Sequence, residues 1–308
     1  STTVLLYKLM RAAAAGRSDR TEVVADAENV PTDRFVLEGV AAEHGLTVRW
    51  ITPDASHGVT EAQVREVLNE QTAFVLLSNV AFKSGFIADV PAITAAAHEF
   101  GALVLWDLCH SVGLVPMQLD AWGVDLAVGC SYKYLNGGPG APAFAYVSAA
   151  AQQELTQPVQ GWFGAADPFG MTETYVPARG IRQMISGTPP ILGLQPISDM
   201  VDLIEEAGID AIRAKSIALT EFAAEFADAH LARYGVRVIS PRDPAIRGGH
   251  VTLDHPAFKE IVAALWERGI IPDFRPPQGI RIGLSPLSTS FAELAEGLLA
   301  IAECLEER

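Results

Sequence analysis

The sequence predicts an α/β protein, with a large domain on a mainly parallel sheet followed by a smaller C-terminal α/β domain. Three observations lead there. Short runs of Val, Leu and Ala without polar alternation, such as 102–106 and 126–129, fit strands buried on both faces. Helical stretches alternate with those runs through the first half of the chain. After Ile191 the pattern changes to two long helical stretches and then to a few strands, expected to be antiparallel, with shorter helices between them. The division is expected at 193, giving units 1–193 and 194–308.

Taken in order, Val4, Leu5, Leu9, Met10 and the alanines after them predict a helix over 3–15, closed by Gly16. A strand follows over 21–27. The stretch 29–33 reads as a loop, leading into a helix over 34–44 that Gly45 stops. Strand 46–51, helix 60–68, strand 73–78 and helix 90–100 continue the alternation, and 102–106, 126–129 and 143–147 complete the apolar runs. The segment 153–190 is rich in Gly, Pro and aromatics and lacks periodicity, and a loop of that length inside a compact protein usually has a function. Beyond it the pattern predicts helices over 194–207 and 209–234, strands over 236–240 and 249–253, a helix over 258–268, a strand over 280–284 and a final helix over 291–305.

With 308 residues, 49% hydrophobic and 19% charged, the chain can bury a large core and shows no sign of disorder. Its 22 basic and 37 acidic side chains give a net charge of −15, which disfavours binding to a phosphate backbone. Cys109, Cys130 and Cys304 have no C-x-x-C spacing, so neither a disulfide framework nor a metal site is expected. No apolar run reaches the roughly 18 residues of a membrane span and no signal peptide opens the chain, so a cytoplasmic protein is expected. Ser1-Thr2-Thr3 opens like a helix cap with no leading strand, as though the chain began within a larger unit.

Chemistry concentrates at the ends of the apolar runs, where an α/β sheet places its ligand. Ser78, Asp107, His110, Ser131 and Lys133 stand there. Asp107 ends the run Leu-Val-Leu-Trp, and Lys133 follows 26 residues later (133 − 107) in the polar, aromatic turn Ser-Tyr-Lys-Tyr-Leu-Asn-Gly-Gly. A buried lysine is costly unless neutralised or bonded, and covalent attachment to an aldehyde cofactor removes that cost. A nearby carboxylate would then keep a pyridinium protonated, the arrangement that makes pyridoxal phosphate an electron sink. Each residue alone has a plainer account: Lys133 an exposed turn lysine, Asp107 a cap, His110 a cap for a following helix, Thr2 and Thr3 a helix start rather than a phosphate site. Arg281, mid-strand between Ile280 and Ile282, needs an anion, either a substrate carboxylate or an internal partner.

Together these residues resemble a known family. Trp106-Asp107-Leu108-x-His110-x-x-Gly113, the turn from Ser131 to Gly138, Gly161-Trp162-Phe163-Gly164 and Thr188-Pro189-Pro190 are similar to kynureninase, a hydrolase of the aspartate aminotransferase fold type that uses pyridoxal 5'-phosphate. The resemblance runs from Thr2 to the region of Arg281. It implies that Lys133 attaches the cofactor aldehyde and later moves protons, and that Asp107 pairs with the pyridine nitrogen. Thr2, Thr3, Tyr132, Trp162 and Thr188 would hold the phosphate, the last two reaching across from a second subunit of a homodimer. Asp33, Ser78 and His110 would line the cofactor and Arg281 would take the substrate carboxylate. The implied reaction hydrolyses the side chain of kynurenine or 3-hydroxykynurenine to the anthranilate and L-alanine.

Two departures accompany the resemblance. Val30 stands where the family carries an aromatic stacked on the cofactor, a loss of about 1 kcal/mol of stacking. Family members also carry a segment ahead of the phosphate-binding threonines that is expected to be lacking here, which bears on substrate choice and activity. The competing accounts are a cysteine desulfurase or selenocysteine lyase of the same fold branch, and a non-catalytic relative that keeps the fold for dimerisation.

Overall fold

The computed structural model describes residues 1–54 and 56–308. Six strands form the first sheet: β1 (Glu22–Asp26), β2 (Thr47–Ile51), β3 (Thr72–Ser78), β4 (Leu103–Asp107), β5 (Leu126–Gly129) and β6 (Phe144–Val147), in the order β2-β1-β3-β4-β5-β6. β1 to β5 run parallel and β6 is antiparallel to β5.

The unalternated apolar runs are explained by helices on both faces. Val23, Ala25, Phe74, Leu76 and Leu105 point to one face, which α1 (Thr2–Gly16) and α2 (Pro31–His44) cover with Leu6, Leu9, Met10, Leu37 and Val40. Their strand neighbours Val24, Val75, Leu77, Val104 and Trp106 point to the other face, covered by α3 (Glu61–Val67) and α4 (Val90–Glu99) through Val64, Val90 and Ile93. A period of two with apolar residues on both sides leaves no polar alternation to read. The edge strands differ. Thr47, Arg49 and Trp50 of β2 are exposed and the first three residues of β6 are only half-buried, so the expectation that 143–147 is a doubly buried parallel strand is corrected.

α2 begins at Pro31, three residues before the expected start, because proline at the first helical position has no N–H to satisfy and a φ already suited to the helix. That places Thr32 and Asp33 in the first turn instead of a loop. A short helix α5 (Ala151–Glu154) opens the 153–190 segment, which contains two 3₁₀ turns, Trp162–Gly164 and Gly180–Met184, and is otherwise irregular. Buried Lys8 of α1 ties the segment down, donating to the Met184 carbonyl at 2.5 Å and to Ser186 Oγ at 2.8 Å.

The helix α6 (Ile191–Ala207) starts three residues earlier than expected, and Gly208 separates it from α7 (Ile209–Phe226). The expected helix to 234 gives way after Phe226 to a π turn (Ala227–Leu231) and a 3₁₀ turn (Ala232–Tyr234), which keep Ala227 and Leu231 in the core. β7 is only Arg237–Val238, shorter than the expected 236–240. β8 (His250–Asp254), α8 (Phe258–Glu267), β9 (Asp273–Arg275), β10 (Gly279–Gly283) and α9 (Phe291–Glu306) follow. The second sheet has the order β7-β8-β10-β9 with every pairing antiparallel, and its three-residue β9 was not read from the sequence, being too short and polar to show a pattern.

The segment after β3 joins the two sheets. Gly85 accepts from Gly248 N at 2.7 Å, Ile87 N donates to the Ile246 carbonyl at 2.8 Å, and the Phe82 carbonyl accepts from Arg281 Nη1 at 2.9 Å. The order in which strands are added switches sides between the parallel neighbours β1 and β3, which places a crevice beyond their carboxyl ends.

Candidate active site

Asp107 ends β4 directly opposite Ser78 at the end of β3. It is 3% exposed and accepts from Cys109 N at 2.7 Å, a local turn bond that fixes its carboxylate where the strand stops. Beside it lies Asp33 of α2, 2% exposed, whose pKa is raised well above the usual carboxylate range by burial and by the facing Asp107. Asn29 organises this corner: its amide donates to Asp33 Oδ2 at 3.1 Å and its carbonyl accepts from Ser78 Oγ at 2.7 Å. Among the described residues no basic side chain lies within salt-bridge distance of Asp33 or Asp107.

Lys133 stands four residues beyond the end of β5, in a turn closed by Asn136 N to the Lys133 carbonyl at 2.9 Å. Asn136 has φ 54°, a left-handed conformation that its side chain supports by donating to the Tyr134 carbonyl at 2.8 Å. Gly113 permits the turn to dock. Its φ is +81° and a Cβ there would lie 2.7 Å from the Tyr134 carbonyl oxygen, so another side chain would push the lysine turn away. Lys133 is half-buried rather than fully buried as expected, because the turn carries it past the sheet into the crevice. Its Nζ is 3.2 Å from His110 Nε2 and 5.9 Å from the centre of the Tyr132 ring.

His110 is 7% exposed and precedes a series of turns rather than a helix, so the capping account does not hold. Among the described residues its ring pairs with Lys133 and, at 3.3 Å, Arg281 Nη1, and not with the carboxylate of Asp107. Burial and the positive charge of Lys133 push its pKa well below the usual value, leaving Nε2 an acceptor. Arg281 has an internal partner: Asp273, its cross-strand neighbour, accepts from Nε at 3.2 Å and Nη2 at 2.5 Å. Lys133, His110, Tyr134, His250, Arg281 and Ser285 line a cavity of about 220 Å³ between the two sheets.

Thr2 occupies the first turn of α1, next to Ser1 as cap, and its Oγ1 is 3.7 Å from Cys109 Sγ, which brings the start of α1 beside the Asp107 turn. Thr3 is exposed and Val30, half-buried, caps the N-terminus of α2. Tyr132 is 53% exposed, and its pKa is pushed up to about 12 by burial and by the neighbouring Cys130. Cys130 Sγ lies 3.7 Å from the Cys109 carbonyl, and both thiols are buried and reduced. Ser131 is buried, with Oγ turned to the Pro142 carbonyl at 2.5 Å, away from the lysine.

Trp162 and Thr188 are exposed, and among the described residues no hydrogen bond ties either to this cluster. Trp162 packs edge-on against Phe163 and Phe169, with ring centres 4.8 and 5.7 Å away. Sequence reasoning missed Asn29, Asp273 and His250. Asn29 had a signal, a polar residue just past a buried strand, whereas Asp273 and His250 are brought in by strand pairing.

The fold defines the class. The chain superimposes on a cysteine desulfurase from Thermococcus onnurineus with a TM-score of 0.87 at 18% identity, covering 100% of this chain and 78% of the other. It also superimposes on a C-DES variant with glycine covalently linked to its PLP cofactor, with a TM-score of 0.81 at 17% identity, covering 98% of this chain and 86% of that one. At such identities the likeness establishes the fold, that of pyridoxal-phosphate enzymes of fold type I. Sequence narrows it: residues 212–301 match the kynureninase C-terminal domain. The whole chain is 36% identical to the kynureninase of Pseudomonas fluorescens and 37% identical to that of Deinococcus radiodurans, spanning 74% and 73% of their lengths. The chain belongs to the kynureninase family.

Proposed function

We propose that this protein hydrolyses the side chain of L-kynurenine, 3-hydroxykynurenine or both, releasing anthranilate or 3-hydroxyanthranilate and L-alanine, with pyridoxal 5'-phosphate carried on Lys133. The observation that bears most weight is the pair of buried carboxylates, Asp33 and Asp107, with no cationic partner among the described residues. Two such groups in a low-dielectric corner call for a cation, and a protonated pyridine nitrogen supplies one. The remaining donors fit the same group: a lysine amine for the aldehyde, and the first turn of α1 with Thr2 and Thr3 for the phosphate.

When bound, the cofactor draws electrons from the substrate Cα. Asp107, with Asp33 beside it, holds the proton on the ring nitrogen. Lys133 carries protons to and from the reacting carbons, and His110 Nε2, unprotonated and 3.2 Å from Nζ, is placed to receive a hydrogen bond from it. Ser78, through Asn29, holds that corner together. Val30 and Tyr132 flank the ring and phosphate, and Arg281 meets the α-carboxylate.

In this reading Trp162 and Thr188 serve the phosphate site of a second subunit, so the working form is a homodimer. α6 supports it: none of its 17 residues is buried, and Ile191, Leu192, Leu194, Val201 and Leu203 face outward. The unit 1–193 would then bind the cofactor and 194–308 would close over the substrate. A cytoplasmic setting suits three buried, unpaired thiols. That burial also weighs against a desulfurase, whose nucleophilic cysteine must reach the substrate.

The test is incubation of the cofactor-loaded protein with L-kynurenine, following anthranilate fluorescence, with cysteine and sulfide release as the parallel arm. Anthranilate formation supports the proposal, and sulfide without anthranilate overturns it.

A further inference from the structure

Asn136 stands in the turn that carries Lys133 with a φ of 54°. A glycine adopts that conformation freely, so an asparagine there is explained by what its side chain does. One end of the amide bonds locally, Nδ2 donating to the Tyr134 carbonyl at 2.8 Å. That carbonyl can only accept, which fixes the orientation of the amide and makes Oδ1 its outward end. Oδ1 accepts from Ser285 Oγ at 3.0 Å, across a separation of 149 positions in the chain. Nothing in the local turn requires this second bond.

The two partners differ in how firmly they are held. Ser285 follows β10 at once: Leu284 N donates to the Gly249 carbonyl at 3.0 Å, prolonging the ladder, and the Ser285 carbonyl accepts from Ser288 N at 3.1 Å and Thr289 N at 2.8 Å. The next carbonyl, that of Pro286, accepts from Lys215 Nζ of α7 at 2.6 Å. The lysine turn has less behind it. It docks against Gly113 on one side, but past Gly137 the chain runs into Gly138 and Gly140, with φ of +81° and +80°. Among the described residues nothing lies within 4 Å of where a Cβ would stand at either position. So open a glycine segment resists displacement poorly, and the bond from Ser285 braces the turn against a fixed post.

Ser285 also borders the cavity that holds Lys133. Its proton is engaged by Asn136 Oδ1, so only oxygen lone pairs remain for a ligand, and these do not attract a carboxylate. The hydroxyl is therefore placed to act on the turn rather than on a substrate. The lysine stem is long and flexible, so the amine stands where the turn and His110, 3.2 Å from Nζ, allow it.

We propose that Ser285 and Asn136 are positioning residues: their hydrogen bond, made between the two sheets' loops, fixes the turn of Lys133 and so sets where its amine stands to attach the cofactor and move protons. The inference rests on the reading of Lys133 as the attachment point.

The first measurement uses the full chain without cofactor. Hydrogen exchange is followed by mass spectrometry over 131–138, where Asn136 N and Gly137 N close the turn onto the Lys133 and Ser131 carbonyls. Ser285→Ala is expected to speed exchange there about 3- to 10-fold, whereas Ser285→Thr, which keeps the donor, stays within about twofold of the parent. The second measurement is the rate at which the visible band of attached cofactor appears after pyridoxal 5'-phosphate is added, expected to fall about 3- to 10-fold in the Ala variant and to be restored in the Thr variant. In turnover Ser285→Ala should lower kcat by a similar factor with KM within about twofold. Asn136→Gly keeps the backbone conformation and removes the acceptor, so adding Ser285→Ala to it is expected to change exchange and attachment no further. Unchanged exchange or attachment in Ser285→Ala, a Thr variant as impaired as Ala, or additive losses in the double variant would each overturn the proposal. A raised KM at constant kcat would do the same, by making Ser285 a substrate contact. A parent that releases no anthranilate from kynurenine defeats the proposed reaction alone, since exchange and cofactor attachment still decide the brace.

Discussion

Lys133 Nζ lies 3.2 Å from His110 Nε2, and Arg281 Nη1 approaches the same ring nitrogen at 3.3 Å. Two cationic side chains from different sheets thus converge on one neutral imidazole, which is possible only because His110 stays unprotonated. The lysine of the first sheet and the arginine of the second are held in register by it.

Replacing Lys133 with Ala removes the amine while leaving the turn intact, since Asn136 and Gly113 fix the backbone rather than the lysine side chain. The variant is expected to fold normally, to lose the visible absorbance band of covalently attached cofactor, and to turn over substrate at least about a thousandfold more slowly. Retained turnover would move the attachment point elsewhere.

Arg281→Lys keeps the charge and loses the planar fork that binds Asp273 and the Phe82 carbonyl together. KM for the amino-acid substrate is expected to rise about 10-fold or more, with a smaller change in kcat. Kinetics equal to the parent would make the arginine a purely structural partner of Asp273.

Asp26, at the end of β1, provides a pH test of stability. Burial, then neighbouring Glu28, raises its pKa to about 6, against the backbone hydrogen bond from Glu28 N that lowers it. The folded protein therefore holds a proton that the unfolded chain has released between about pH 4 and 6, so stability falls as pH rises through that window. Asp26→Asn removes the titration and keeps the acceptor. It is expected to stabilise by about 1–2 kcal/mol above about pH 7 and to make no difference below about pH 4, measured by urea unfolding at each pH.

Arg247 is 1% exposed and donates to Thr220 Oγ1 at 3.1 Å and to the Pro241 and Arg242 carbonyls at 3.0 and 2.8 Å, with Glu221 as its charge partner. Arg247→Met fills much of the volume but strands those acceptors. It should cost about 3 kcal/mol, read as a lower urea midpoint, and an unchanged midpoint would show that water replaces the guanidinium there.

The parts of this protein written in local pattern were legible from the sequence. The unalternated runs at 73–78, 102–106 and 126–129 identified buried parallel strands, because helices on both faces remove the need for polar residues. The strand-end rule then brought Ser78, Asp107, His110 and Lys133 to one crevice. The tertiary structure alone decided what those residues meet. Asp33 became the neighbour of Asp107 because Pro31 starts α2 early, and Asp273 closed on Arg281 because β9, too short to leave a pattern, pairs with β10. His250 reached the cavity because two glycines let β8 press against the first sheet's loops. Periodicity along a chain reports which face is buried, whereas a contact between residues more than a hundred positions apart depends on how two sheets dock, and that is settled by close packing rather than by any local signal.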